Sequence, residues 1–380
     1  MNDLRLGVIG WGLRRSIGQI AHRPDAGARL VGLVDPDPLA QTRFTEFVGD
    51  GAIICPSLTE LLALNLDAVF ILSPDDLHES QAVPCLEAGV AVYLEKPMAI
   101  TVAGCDRILA TAKRTGARLY VGHNMRWFGV VRTMRDLIRS GAIGVPQTAW
   151  CRHFVSYGGE AYFRDWHAER ARSTGLLLQK GAHDMDVLHW LCGGYTRRVA
   201  AQGRLMVYGD NPDRRAPDES YRVSFDQSWP PRALDRLNPV IDVEDVSQVL
   251  MELDNGVLAS YQQCMFSPDA WRNYTVIGDA GRIENFGDAP GNATVRIWNR
   301  AQHYSANGDI EVHVPPASGT HGGADPLIVD EFLRYVRDGV ATDTSPVAAR
   351  MVVAAGVAAT HSLRNGSIPV EVTPLPMGLG

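Results

Sequence analysis

Two lysines and a histidine stand where this sequence could do chemistry. Lys96 closes the run V-A-V-Y-L-E-K-P-M at 90–98. An unbroken apolar run rich in Val, Tyr and Leu suits a strand buried on both faces. Pro97 lacks an N–H, ends the ladder and holds Lys96 extended, and the Lys96–Pro97 bond is a candidate for the cis form. A lysine held in this way lies at the carboxyl end of a buried strand, where open α/β sheets place their ligands. Taken alone, the same residues also make an ordinary Glu95–Lys96 pair at a solvated strand end. Further along, Gln179, Lys180, His183 and Asp184 fall within about a turn of an expected helix over 173–191. Lys180 is three residues and Gln179 four residues before His183, so they share a face. An imidazole, or a lysine whose pKa burial and nearby cations lower, can take a hydroxyl proton as a general base.

The elements that must hold Lys96 read as alternating strands and helices. Strands are expected at 4–9, 30–34, 68–72, 90–94 and 118–121, and helices at 13–22, 38–47, 58–64, 77–88 and 101–115. Short Gly/Pro/Asp joints between them imply a doubly wound parallel sheet over residues 1–122. Its first turn, G-V-I-G-W-G-L-R-R-S, carries Gly10-x-Gly12, and Arg15 stands where a third glycine is usual. Such glycines let a pyrophosphate approach backbone N–H groups at a helix N-terminus, with Leu13, Arg14 and Arg15 beside it; a plain structural turn also explains them. Asp35 ends the second strand, where a carboxylate accepts from a ribose 2′-OH and repels a 2′-phosphate, which favours NAD over NADP. The fourth-place segment S-P-D-D-L-H puts Ser73, Pro74 and His78 near the sheet edge of Glu95 and Lys96, with Asp76 as a candidate helix cap.

Taken in order, G-W-G, Asp35, S-P-D-D-L-H, E-K-P, G-H-N-M-R at 122–126 and G-A-H-D-M-D at 181–186 resemble the Gfo/Idh/MocA oxidoreductase family, over nearly the whole chain. The resemblance implies an N-terminal Rossmann domain and, over 123–380, a C-terminal α/β domain with a large, mostly antiparallel sheet often used for homo-oligomer contacts, as a dimer or tetramer. It implies Lys96 and His183 as catalytic residues, Lys180 as a neighbouring cation, and His78 and Asn124 near the nicotinamide end. The chain departs from the pattern at Gln179, where the family usually has Asp. Glutamine can orient an imidazole but supplies no charge.

In the second domain, strands are expected at 148–157, 199–207, 243–253, 257–266, 274–277, 281–285 and 294–298, with a D-N-G hairpin turn at 254–256. The segment 209–242 is long for a plain loop: a lid, an oligomer contact or a disordered insertion. Asp325 and Pro326 suit the N-cap and first position of a helix over 327–337, and 346–363 reads as a buried Ala/Val helix. Arg126, Arg152 and Arg164, with His153, bring positive charge toward a pocket also lined by Trp166, Gln179, Asp184 and His321. Arginine forks suit a carboxylate or sulfonate, but Glu160, Asp165 and Glu169 are equally available partners. Of His183, Asp184, Asp186 and His189, only His183 and Asp186 sit at helical ligand spacing, no H-E-x-x-H type motif is present, and no metal is expected.

Composition sets outer bounds. At 46% apolar, 21% charged and net charge −7, the chain reads as a globular protein that binds neither nucleic acid nor anionic membrane. No run approaches the roughly 18 apolar residues of a membrane span, and the first residues lack a signal-peptide pattern. Six scattered cysteines without C-x-x-C fit reduced thiols in a cytoplasm. Three functions remain open: an NAD-dependent dehydrogenase of a sugar or cyclitol; an NAD-dependent glycosidase that oxidises at C3, eliminates, hydrates and re-reduces, for instance on a sulfonated glycoside such as a sulfoquinovoside; and a non-catalytic NAD-linked sensor.

Overall fold

A computed structural model describes residues 3–217, 219, 224–226, 228–289, 291–319 and 321–380. The chain forms two compact units. The first gathers Met1–Asn124, Gly319–Arg350 and Leu375–Gly380, and the second Met125–Ser318 and Met351–Pro374. Where a single boundary after 122 is expected, the chain also returns to the first unit at Gly319–Arg350 and Leu375–Gly380.

The first unit opens with β1 (Leu4–Ile9), α1 (Arg15–Ala21), β2 (Ala28–Val34), α2 (Pro38–Val48), β3 (Ile53–Ile54), α3 (Leu58–Leu62), β4 (Ala68–Ile71), α4 (His78–Glu87), β5 (Ala91–Leu94), α5 (Val102–Thr115) and β6 (Leu119–Val121). Local chemistry sets the starts. Asp37 accepts from Leu39 N–H with Pro38 at the first position of α2, Ser57 accepts from Glu60 N–H at α3, and Thr101 from Gly104 N–H at α5. All six strands are parallel in the order β3-β2-β1-β4-β5-β6, a doubly wound sheet whose order reverses between β1 and β4. β4 and β5 are buried along their whole length, as unbroken apolar runs require.

The second unit follows with α6 (Gly129–Arg139), β7 (Pro146–Phe154), α7 (Arg170–Ser173), α8 (Leu176–Gln179), α9 (Gly181–Cys192), β8 (Thr196–Arg204), β9 (Val246–Leu253), β10 (Leu258–Cys264), β11 (Trp271–Gly278), β12 (Arg282–Phe286), β13 (Thr294–Trp298) and β14 (Ile310–His313). Then come α10 (Ala324–Asp338) of the first unit, α11 (Pro346–Arg364), whose residues are divided between the units after Arg350, and β15 (Val370–Glu371). The order β14-β13-β12-β11-β7-β10-β9-β8-β15 is antiparallel except for β7 and β10. The D-N-G segment joins β9 to β10 as the expected hairpin. Along β9, Ser247, Val249, Met251 and Leu253 are buried while Gln248 and Leu250 are exposed, the alternation of a sheet covered on one face.

Three expectations change. The helix over 173–191 is three pieces, α7, α8 and α9, with Thr174 and Gly175 non-helical between the first two. Asp325 does not cap α10; Gly323 does, and Asp325 lies inside the first turn. The described part of 209–242 is anchored at a few buried points, although more than half of its described residues are exposed. Tyr208, Leu234 and Leu237 join Val155, Phe163 and Met265 in a satellite core, and Phe163 stacks on Tyr208 with centroids 4.4 Å apart. Residues 218, 220–223 and 227 of that segment lie outside the described residues. α11 is long and apolar enough to cross a membrane by length and composition, but 67% of its apolar window is buried in the fold, as in a core helix.

Candidate functional site

In the first unit the site is the carboxyl edge of the parallel sheet. Gly10 has φ +87°, and a Cβ there would stand 2.9 Å from Ser73 N, so only glycine lets the ends of β1 and β4 approach. A Cβ at Gly12 would meet nothing within 4 Å, which leaves the turn open beside the start of α1. Asp35 is fixed next to it: Oδ2 accepts Trp11 N–H at 2.6 Å and Oδ1 accepts Asp37 N–H at 2.8 Å. An open glycine turn before a helix and a carboxylate at the end of β2 fit a dinucleotide. Gly10, Gly12, Leu13 and Asp35 would hold it at its pyrophosphate and adenine-ribose parts.

Glu95, Lys96 and Pro97 follow β5, with Glu95 buried, Lys96 half-buried and the Lys96–Pro97 bond cis. Arg14 donates to Glu95 at 2.9 Å and to Asp325 through both terminal nitrogens at 3.1 and 3.2 Å. His321 Nδ1 lies 2.8 Å from Asp325 Oδ2, and Asn124 Nδ2 donates to Asp325 Oδ1 at 3.2 Å. Burial pushes the Asp325 carboxyl up, but the His321 hydrogen bond and Arg14 outweigh it and hold it well below the usual carboxylate range. Arg15 half-covers its own turn, donating to Gly12 O at 3.2 Å.

Two expected cofactor contacts have other partners. His78 is fully buried; Nδ1 lies 2.7 Å from Pro97 O and Nε2 3.0 Å from Ser73 O, so its ring sits between the segments that follow β4 and β5 and donates to one of the two carbonyls when neutral. Its burial lowers its pKa against the pull of those carbonyls. Ser73 Oγ donates to Gln81 at 2.5 Å, beside Pro74.

In the second unit the site is built on a grid of side chains from three strands. Registers place Arg272, His153 and Gln263 in one row and Tyr274, Cys151 and Tyr261 in the next, all on the buried face. Asp184, from the first turn of α9, drops into the grid. Its Oδ1 accepts Arg272 Nε at 2.8 Å and Tyr274 OH at 2.5 Å, and its Oδ2 accepts Tyr261 OH at 3.1 Å and lies 2.9 Å from His153 Nδ1. Burial pushes Asp184 up, yet Arg272 and then His153 hold it below the usual carboxylate range. Burial, with Arg272, brings His153 down to about 4, so its ring is neutral at pH 7 and Nδ1–H is the donor. Asp184 is therefore an anchor for α9 with no exposed surface, which corrects its assignment to substrate.

Lys180 and His183 stand on the anchored end of α9, both buried with Gln179. Gly181 admits the close approach of Tyr261, whose ring would stand 3.0 Å from a Cβ there. The Lys180 ammonium lies over the rings of Tyr162 and Tyr157, 5.4 and 5.7 Å from their centroids. Burial first, and then the Arg272 charge, push Lys180 down to about 7, against the opposite pull of Asp184 and Asp288. It can release and take up a proton at neutral pH.

The arginines expected to meet an anionic substituent are engaged elsewhere. Arg126 grips Asp186 through two bonds of 2.7 and 2.6 Å. Arg164 pairs with Asp226 at 2.8 Å and with Asp235, both in the segment after β8. Arg152 donates to Asn273 at 3.0 Å and keeps a half-exposed side chain. Trp166 stacks on His167 at 3.8 Å, and His189 Nε2 lies 2.6 Å from Thr196 Oγ1. Sequence reasoning missed Arg272, Tyr274, Tyr261 and Asp288. Arg272 and Tyr274 are two apart in a strand, as are Tyr261 and Gln263, and that period was the available signal.

Residues 4–123 match the Gfo/Idh/MocA family model described as an NAD-binding Rossmann fold, and 135–372 its C-terminal alpha/beta domain. YteT of Bacillus subtilis (strain 168), named an oxidoreductase, is 25% identical over 348 residues, covering 80% of this chain and 81% of that one. An inositol 2-dehydrogenase of Burkholderia multivorans is 33% identical over 50% of this chain and 55% of its own. A 2,7-anhydro-N-acetylneuraminate hydratase of Mediterraneibacter gnavus is 30% identical over 56% of this chain and 57% of its own. The solved structure of levoglucosan dehydrogenase with NADH and levoglucosan shares the fold, with a TM-score of 0.78 at 18% identity over 98% of this chain and 100% of that one.

Proposed function

Starting from the chain's membership of the Gfo/Idh/MocA oxidoreductase family, an NAD-binding enzyme family, we propose that it oxidises a CH–OH group of a sugar or cyclitol. NAD supplies the acceptor for the carbinol hydride. The chain's own residues deal with the hydroxyl proton. Lys180 carries this reading: it is buried over the Tyr162 and Tyr157 rings, three residues before His183, and burial pushes its pKa down to about 7, which suits a general base. His183, one turn along the same face, shares the proton or holds the hydroxyl. Lys96, extended at the end of β5, is the corresponding group of the first unit. With Gln179 in the usual place of an aspartate, charge near His183 comes from Lys180 instead. An anionic substituent on the substrate has less support, because Arg126 and Arg164 are already engaged by carboxylates and of the three arginines Arg152 alone keeps a half-exposed side chain. The test is a panel of sugars and cyclitols with NAD, read as NADH absorbance. Turnover of a neutral sugar or cyclitol supports the proposal, and no absorbance change across the panel sinks it.

A second reading is favoured by the hydratase relative and by the Gln179–Lys180 pair: transient oxidation, elimination, addition of water and re-reduction on retained NAD, as in an NAD-dependent glycosidase. Aglycone release with no net NADH, and solvent deuterium at C2 of the product, distinguish it. We further propose a cytoplasmic location, a reading supported by six free cysteines of which five are buried. We expect a homo-oligomer formed through the uncovered face of the second sheet.

A further inference from the structure

We propose that Asp325 is a positioning residue of the dinucleotide site: by taking the Asn124 amide nitrogen, it turns the Asn124 carboxamide oxygen toward a hydrogen-bond donor of the bound dinucleotide. Asp325 is fully buried and receives Arg14, His321 and Asn124, which come from the glycine turn, the loop before α10 and the end of β6. The carboxylate has only acceptors, so the Asn124 group facing it must be the NH2. The Asn124 oxygen is thereby committed to the other side. It is buried in a side chain 3% exposed and accepts from no donor among the described residues. A buried carbonyl without a donor costs free energy until something donates to it. Asn124 follows β6, in the row of strand ends that holds Glu95 and Ser73, where a doubly wound sheet lays its dinucleotide. That ligand carries ribose hydroxyls and an amide N–H, each able to donate.

The backbone supports the assignment. Gly322 and Gly323 have φ +64° and +80°, and non-glycine His321 has φ +49°. Gly323, not Asp325, occupies the N-cap of α10, so the carboxylate is released from the capping task its place in the sequence suggests. Arg14, which also pairs with Glu95, holds the Asp325 carboxylate in place to face Asn124.

The test is NAD titration by calorimetry on Asp325→Asn, Asn124→Leu and the double variant, with melting followed in parallel. It rests on the cofactor and not on the sugar chemistry, so an inactive substrate panel leaves it standing. Each single change is expected to weaken NAD binding roughly tenfold, the effect of one buried hydrogen bond lost or misdirected. The double variant is expected to lose no more than the weaker-binding single, because Asp325 acts through Asn124. Glu331→Gln, in the same helix and bonded to Tyr120 OH at 2.6 Å, should lower melting and leave NAD affinity unchanged. Wild-type affinity in Asp325→Asn, additive losses, or a loss in Glu331→Gln equal to that in Asp325→Asn overturns the proposal. Should Asp325→Asn not fold, Asn124→Leu decides alone: unchanged affinity there overturns it.

Discussion

Lys180 is a buried cation whose position opposes its charge. Its folded pKa of about 7 lies below the roughly 10.4 of an unfolded lysine. Between those values the folded state binds fewer protons than the unfolded one, so this residue's contribution to stability rises with pH from about 7 to about 10 and its full penalty stands below 7. Lys180→Met should therefore raise the melting temperature, most at pH 6 and least near pH 10, while activity falls roughly 10²- to 10⁴-fold, the usual size of a general-base contribution. A lower melting temperature at pH 6 would count against a strained ammonium. In the wild type, kcat/KM should fall as pH drops through about 7; a flat profile between pH 5.5 and 8.5 removes Lys180 from the proton step. Lys96→Ala should lower kcat by a similar factor and leave NAD affinity within a few-fold. A His78 substitution should act mainly on melting, because that ring bridges two backbone carbonyls inside the fold.

Among the elements, the glycine turn is held by the backbone it faces. Gly10→Ala adds a Cβ 2.9 Å from Ser73 N at φ +87°, so a cost of about 1–3 kcal/mol and a marked loss of NAD affinity are expected. A variant with wild-type melting and binding would show the turn to be slack. The parallel sheet was readable because its signals are local: buried apolar runs, Asp37-Pro38 and Ser57-x-x-Glu60 starts, and a proline after Lys96. β3, two residues long, gives no period to read. α6 does give one, with Val130, Val131, Met134 and Ile138 on one face. The break between α7 and α8 was hidden because Thr174 and Gly175 also look like an ordinary helix start. Lys180 and His183 were legible as a shared face, but what fixes them was not. His153 comes from a strand more than a hundred residues before those of Tyr261, Arg272 and Tyr274, and only register brings the four under Asp184. The same limit explains Arg126 and Arg164, whose carboxylate partners lie 60 and more residues away.

At the scale of the whole molecule, the nine-strand sheet leaves Leu250 at 67% and Leu258 at 59% exposure on its uncovered face. Apolar side chains presented on a sheet face suit a second copy of the chain. Sedimentation should show a dimer or larger, and Leu250→Glu should shift it toward monomer with NAD binding kept; a monomeric wild type ends that reading. The route of the chain has another consequence. Phe332 of α10 packs edge-on against Phe70 at 5.2 Å and Tyr93 at 5.6 Å, so the nucleotide-binding half is completed by residues more than two hundred positions downstream. A gene fragment ending near 124 would produce a sheet with a bare aromatic flank, prone to clump rather than fold. Anyone exchanging substrate-binding halves between relatives must therefore graft an internal block, leaving both the beginning and the later helix with their original owner, because a single crossover would separate Phe332 from the rings it covers.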